Sequence, residues 1–486
     1  MLCRRFLLMI GLSLGLCHTS LPGADWTRFR GPNGSGISPD SVAPPTRWSD
    51  TENLRWKAEL PGPGLSCPIV IGDRVILTCW TGYADGSEDE GALESLKRNV
   101  LCLDRNTGDT LWSHAEPAVL PEDQYSGMFA QNGYASHTPV TDGERVYVFY
   151  GKTGVLAFDL GDGRKLWQKS VGENRERRGW GSASSPIVSQ NLVIVPAFVE
   201  GDALMAFDGP TGELVWKQEV AGYTSNWSTP ILVETGGNTE LVLSVPGEVW
   251  GLNPENGKLR WYCELPGADD ARASVIAHDD VVIAMAAGRG SSASMAVRAG
   301  GKGDVSESHR LWQGRDASGI ATPVIHDGRL IIVDNKVLTT VDLKTGERLK
   351  QTRLTGGSGG SGERPDSGRG RPGAGDDEPG ERPRRENSAG RPGGSPQEGG
   401  RPGGGRGYGG GVGGRDYSSP VIAGDHLYYA SRSGDVYVFE LGDEIKQVAR
   451  NRFASDSGEY NATPAISDGE LFIRSTTAVY CVAEKQ

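Results

Sequence analysis

One phrase recurs through this chain at a nearly fixed interval. It reads Leu103-Asp104-Arg105-Asn106-Thr107-Gly108-Asp109-Thr110-Leu111-Trp112 in its clearest copy, and similar runs end at Trp167, Trp216, Trp261 and Trp312. A second phrase stands ahead of each tryptophan: a small hydroxyl residue, a proline and a β-branched run. It appears at Ser66-Cys67-Pro68, Thr138-Pro139, Ser185-Pro186, Thr229-Pro230, Thr322-Pro323, Ser419-Pro420 and Thr463-Pro464, with a degenerate copy at Ser274-Val275-Ile276. That makes eight units, spaced 44 to 48 residues apart where no insertion intervenes. A period of this length fits one four-stranded antiparallel sheet per unit and does not fit a helical repeat.

The strands of a unit follow from local chemistry. In the third, Pro186–Ser189 opens with a proline where no ladder donor is needed. Leu192–Pro196 and Ala203–Asp208 are the second and third strands, and Glu213–Gln218 the fourth. Asp208 can accept from the amides of the turn that follows, and Gly212 can take the positive φ that closes it. No stretch keeps a 3.6-residue apolar period, so the chain reads as all-β. A sheet of this kind buries its faces only against its neighbours. The expected fold is therefore an eight-bladed β-propeller, with Trp112, Trp167, Trp216, Trp261 and Trp312 wedged between blades. Lys350 and Val448 stand at that position in blades six and seven, where the girdle should be weaker. The last unit lacks a fourth strand, while Leu54-Arg55-Trp56-Lys57-Ala58 is a fourth strand without a blade. Joining them closes the ring and removes its free edges, with Trp56 as a further docking tryptophan.

Residues 1–24 have the layout of a signal peptide: Arg4 and Arg5, an apolar run from Phe6 to Leu16, and small residues at Gly23-Ala24. This implies export to the periplasm or cell envelope. Arg4-Arg5 only partly fits a twin-arginine signal, and the large Leu16 argues against a lipid anchor at Cys17. Residues 25–52 form a leader and 53–486 the propeller, interrupted at 355–415 by a Gly/Pro/Arg-rich segment expected to be disordered. No later run is apolar enough for a membrane helix. A net charge of −12 argues against a nucleic-acid partner. The mature chain keeps Cys67, Cys79, Cys102, Cys263 and Cys481, with no metal-binding spacing. They read as buried strand cysteines, with a pair among the first three as the alternative.

The long connections, at 80–98, 113–135, 169–183 and 355–415, all emerge on one face of an up-and-down blade, whereas Gly72-Asp73, Asp142-Gly143, Asp327-Gly328 and Asp468-Gly469 make tight turns on the other. Function is expected on the long-loop face. Residues just ahead of each Ser/Thr-Pro should ring the channel mouth there. Trp227, Arg272, Tyr417 and Asn461 are the candidate binding residues, with Tyr134, Trp180, Asn226, Asp270, Asp416 and Tyr460 nearby. Aromatic rings with a cation suit a peptide carboxylate, a sugar or a planar ring; as the plainer alternative, these side chains only plug the channel and satisfy one another.

The tryptophan phrase resembles the docking motif of the PQQ (pyrroloquinoline-quinone) repeat propellers, a family with BamB-like assembly scaffolds and quinoprotein alcohol dehydrogenases among its members. The resemblance covers nearly all of 50–486 apart from the insertion, and Asp25-Trp26-Thr27-Arg28-Phe29-Arg30-Gly31-Pro32 resembles the leader of many BamB-like propellers. It implies a non-catalytic exported scaffold that binds a protein or peptide partner at the long-loop face. The alternatives are a PQQ-dependent oxidoreductase and a carbohydrate or cell-wall binding propeller. A dehydrogenase would need PQQ with calcium, a carboxylate base and a stacking tryptophan. Asp270 and Trp227 could be offered for the last two, but no Glu/Asn calcium pair is assignable and no two cysteines are adjacent.

Overall fold

The computed structural model describes residues 24–356 and 415–484, apart from 41, 221, 224, 268 and 288–291. The expected signal peptide (Ala24 excepted) and nearly all of the 355–415 insertion lie outside the described residues.

Among the described residues, eight sheets are each built on four antiparallel strands, which follow chain order from the inside outward in all but the last. Blade three consists of Ile187–Ser189, Leu192–Ala197, Ala203–Asp208 and Leu214–Glu219, within about one residue of the strands expected from turn chemistry. Blade eight combines Ala465–Ser467, Glu470–Arg474 and Ala478–Val482 with Leu54–Glu59 from the start of the chain. Lys57 pairs with Tyr480 and Glu59 with Ala478 in the strand that closes the ring. Blade four alone gains a fifth strand: Gly303–Asp304 lies parallel to its outer strand Leu259–Glu264.

The Ser/Thr-Pro phrase forms a closed belt. The residue before each proline, or before Val275, donates its backbone N–H to the equivalent side chain of the next blade. Cys67 donates to Thr138 Oγ1, Thr138 to Ser185 Oγ and Ser185 to Thr229 Oγ1, each at 3.0 Å. Thr229 donates to Ser274 Oγ at 2.9 Å, Ser274 to Thr322 Oγ1 at 3.0 Å and Thr322 to Ser419 Oγ at 2.9 Å. Ser419 donates to Thr463 Oγ1 at 3.0 Å, and Thr463 returns to Cys67 Sγ at 3.2 Å. All eight residues are buried. Proline holds its predecessor in extended geometry, which aims that N–H sideways rather than into a helix or turn. All five described cysteines are free and buried, so the paired alternative is not seen.

Most tryptophans seat on the next blade's turn. Trp112 donates from Nε1 to Leu160 O at 3.1 Å, and its ring lies where a Cβ on Gly163 would come within 2.5 Å of it. Gly163 has φ 72°, so the turn needs glycine both for its backbone and for the ring above it. Trp56 over Gly108, Trp167 over Gly212, Trp216 over Gly257 and Trp312 over Gly346 repeat the arrangement, each donating to a backbone carbonyl. Trp261 departs from it. Its ring packs on Gly251 of its own blade and its Nε1 donates to Glu240 Oε2 at 2.6 Å. The longer connection in blade five has glycines of positive φ at 300, 301 and 303, but none of them faces the Trp261 ring.

The weakness expected at blade seven is made good by the leader. Trp48 is buried and stands 6.4 Å from Tyr428, which pairs with Val421. Trp167 stands in the same relation to Tyr147, which pairs with Val140. The leader segment is tied to blade seven by Trp48 N–H to Asn451 Oδ1 and by Asn451 Nδ2 to Thr46 O. The register corrects the expectation for Val448. Ala449, paired with Val438 as Trp167 is with Ala157, stands at the docking position because the turn before it is one residue longer, and Trp48 supplies the ring that Ala449 lacks.

Upstream, the leader runs across the inner strands at the tight-turn end. Trp26 exchanges two backbone hydrogen bonds with Val70 of blade one. Arg28 donates to Pro230 O of blade four. Arg30, fully buried, donates to Thr322 O, Pro323 O and Pro420 O, which joins blades six and seven. Burial pushes Arg30 down to about 9, still above neutral pH, so it stays charged and is satisfied by carbonyls alone. The tight-turn end of the channel is therefore filled by the chain itself.

Candidate functional site: the long-loop mouth

The long loops of blades one and two make an ordered platform. Trp80, Leu96, Phe129, Tyr134 and Ala135 form a separate buried cluster, with Tyr83 and Tyr125 packed against it. Arg98 is buried beneath, bonded to Glu122 and to Tyr134 O. A buried ion pair of this kind fixes the loop geometry more than it adds stability.

Beside this pair lies a compact polar group. His137 Nε2 is 3.1 Å from Ser182 Oγ, and Ser182 Oγ donates to Glu200 Oε1. His137 Nδ1 and Glu200 Oε2 are buried without a partner. Burial, helped by Arg98, pushes His137 down to about 3, so the ring is neutral. Burial also pushes Glu200 up to about 7, against the Ser182 hydrogen bond. Ser182 sits between the two instead of at the end of a chain, so the group is not a nucleophile relay, which would need the histidine in the middle. Neither side chain stood out in the sequence, because no short motif contains them.

The four candidate mouth residues fall into two neighbouring sets. In the first, Trp227 packs against Trp180 with ring centres 5.2 Å apart, and Arg272 lies 5.0 Å over the Trp180 ring. Asp270 Oδ2 accepts from Arg272 at 2.7 Å and from Arg178 at 3.0 Å. Trp227 is buried, and its Nε1 donates to Gly181 O at 2.9 Å. In the second set, Arg432 lies 5.9 Å over Tyr417 and donates to Gln131 Oε1 and Glu459 Oε1. Asn461 Nδ2 donates to Glu459 Oε2 at 3.2 Å. Asp416 is buried, accepting from Tyr429 and from the Arg432 amide. The residues thus come from the links between blades and from one inner loop. Arg178 and Arg432 are added by the structure; the spacing argument passed over them because they are not next to a proline. Two buried polar atoms in the sets lack a partner: Arg272 Nε and Asn461 Oδ1.

These residues do not fit a quinone centre. Trp227 and Trp180 are too close to admit a planar ring between them. Both Arg178 and Arg272 hold the same oxygen of Asp270 in ion pairs. Among the described residues, no group of three or more His, Cys, Asp or Glu side chains is placed to hold a metal ion.

The sheet order, the belt and the docking tryptophans define the class: an eight-bladed propeller built of PQQ-type repeats. A family model described as outer membrane protein assembly factor BamB matches residues 46–227 and 97–352, more than half of the chain. The chain belongs to that family. It is 25% identical over 146 residues to outer membrane protein assembly factor BamB of Burkholderia pseudomallei (strain K96243), covering 30% of this chain and 34% of that protein. An uncharacterized protein of Rickettsia prowazekii (strain Madrid E) is 22% identical over 216 residues, 43% of this chain and 44% of that one. The matches thus span less than half the length of these curated relatives. Among solved structures, BamB from Moraxella catarrhalis superposes with TM-score 0.54 at 12% identity, covering 89% of this chain and 98% of that one. Quinohemoprotein alcohol dehydrogenase ADHIIG from Pseudomonas putida HK5 gives the same TM-score at 11% identity, covering 95% and 81%. At such identities the superpositions establish the fold alone. No helix among the described residues is long and apolar enough to cross a membrane.

Proposed function

We propose that this protein is an exported, non-catalytic scaffold of the cell envelope whose long-loop mouth binds a protein or peptide partner. The observation that carries this reading is the pair of unpartnered polar atoms, Arg272 Nε and Asn461 Oδ1, within an aromatic and charged mouth. Buried polar atoms are nearly always hydrogen-bonded, so a mouth that leaves two open is suited to a ligand bearing both an acceptor and a donor. A backbone peptide group supplies both. The leader fills the opposite end of the channel, which leaves the long-loop end for a partner. The assembly role named for the Burkholderia relative points the same way.

Recovery of cross-linked partners from cell envelopes tests this. Replacing Arg272 by Gln together with Tyr417 by Ala should reduce recovery about tenfold, since both side chains are only partly buried, with little change in melting temperature. Undiminished recovery would rule out the mouth. Incubation with PQQ and calcium, followed by desalting, addresses the oxidoreductase alternative. Stoichiometric retention with alcohol oxidation would overturn the scaffold reading.

A further inference from the structure

Blade six lacks a docking tryptophan, and nothing in the described chain takes its place. Its outer strand is Arg348–Arg353, exposed along its whole length. Lys350 pairs with Thr340, as Trp167 pairs with Ala157 in blade two. On the facing blade, Phe439-Glu440-Leu441-Gly442-Asp443-Glu444 aligns with Phe158-Asp159-Leu160-Gly161-Asp162-Gly163. The blade seven turn is one residue longer, since Phe439 pairs with Gln447 where Phe158 pairs with Lys165, and no residue of it has the positive φ of a docking glycine; Glu444 lies in this altered turn. Both halves of the dock have become charged, and Lys350 Nζ stands 3.4 Å from Glu444 Oε1. What remains is a groove of about 290 Å³ between blades six and seven. Leu338, Leu354, Phe439 and Ile445 are apolar residues lining it. Gln447 closes one side by exchanging hydrogen bonds with Thr355.

The same molecule shows how such a place is filled. At blade seven the missing tryptophan is replaced by Trp48, brought in by a separate segment tied to the outer strand through Asn451. At blade four the outer edge accepts an additional strand, Gly303–Asp304. We propose that the blade six–seven groove is a second docking site, which takes an aromatic side chain from an extended, acidic segment of a partner protein. The aromatic ring covers the apolar floor, much as Trp48 covers its own. The acidic flanks face Lys350 and Arg353, on a strand that carries no acid; Arg348 of the same strand is already paired with Asp316. The Lys350–Glu444 pair is solvent-exposed on both sides, so parting it costs little. Among the described residues no strand pairs with its outer edge, and backbone hydrogen bonding at such an edge is the usual route by which an extended segment joins a sheet. This site is separate from the long-loop mouth and does not depend on it.

The test uses a labelled peptide of about nine residues, alternating Glu and Thr around one Trp, and its fluorescence anisotropy with the whole protein. Wild type should bind it at least about tenfold more tightly than the same peptide with Ala for Trp, or with Lys for Glu. The double replacement Lys350→Trp with Glu444→Gly places an indole of this chain over the groove and clears an acidic side chain from its rim. It should raise the melting temperature and weaken peptide binding about tenfold. Leu349→Glu, at an exposed position beside the groove, gives a second variant that keeps the fold and should also weaken binding. Equal binding of the Trp and Ala peptides, or undiminished binding by both variants, would overturn the proposal. Equal binding of the Lys peptide would overturn the acidic class. The Arg272→Gln/Tyr417→Ala variant should bind the peptide as wild type does, so failure of the mouth and failure of the groove are told apart.

Discussion

At Cys67 the belt around the channel changes from oxygen to sulfur. Burial raises the thiol well above its usual range, so the group that accepts from Thr463 N–H is a neutral sulfur. Cys67→Ser should therefore be tolerated, with a change within about 1 kcal/mol. Thr463→Val is different. It keeps the shape but strands the Ser419 N–H, and should cost about 1–3 kcal/mol in urea unfolding. A midpoint equal to wild type would mean that the belt adds nothing. The recurrence of Ser/Thr before proline was visible in the sequence, but its purpose was not. The partner of each side chain lies 44 to 97 residues away, or 396 where Thr463 meets Cys67, and only the blade-to-blade rotation shows that it lies alongside. The same holds for Arg30, whose acceptors are carbonyls some 290 and 390 residues on.

Among the elements, the tryptophan dock is nearly explicit in the primary structure, because aspartate, glycine and tryptophan sit within one turn and its strand. Trp112→Ala should cost about 3–5 kcal/mol, since it empties a seat shaped by Gly163 and frees the Leu160 carbonyl. Trp48→Ala should cost a similar amount, although it lies outside every repeat, because it is equally buried against Tyr428. Chemical denaturation of both compares them; a Trp48→Ala loss under about 1 kcal/mol would show that the leader only rests on blade seven. Periodicity could not reveal Trp48, since nothing upstream of the first blade repeats. It also over-extended the rule to Trp261, whose sequence context matches the others while blade five's altered turn sends the indole N–H to Glu240. Motif position sets where a side chain starts, and the facing element decides what it meets.

For the whole molecule, the ring was legible down to its closing strand, because counting strands leaves one over at the start of the chain and one short at the end. The mouth was legible only in part. Position relative to proline found Trp227, Arg272, Tyr417 and Asn461, but it could not show that Trp227 is roofed by Trp180 or that Asp270 is pinned by Arg178. The His137–Ser182–Glu200 group, assembled from blades two and three and the link between them, was invisible for the same reason, yet it should shape global stability. The folded His137 takes a proton only near 3, against 6.5 when exposed, so acidification through that interval favours unfolding. The folded Glu200 keeps its proton to about 7, against 4.5 when exposed, so raising pH through that interval also favours unfolding. The two trends oppose each other between the exposed values and reinforce nothing outside them. The melting temperature should therefore be highest in mildly acidic buffer and should fall toward both about pH 3 and about pH 7. Glu200→Gln removes only the alkaline limb, because an amide neither ionises nor loses the Ser182 hydrogen bond. Thermal unfolding of wild type and this variant from about pH 4 to about pH 8 checks it: the same profile between about pH 4.5 and about pH 7 in both would take Glu200 out of the account.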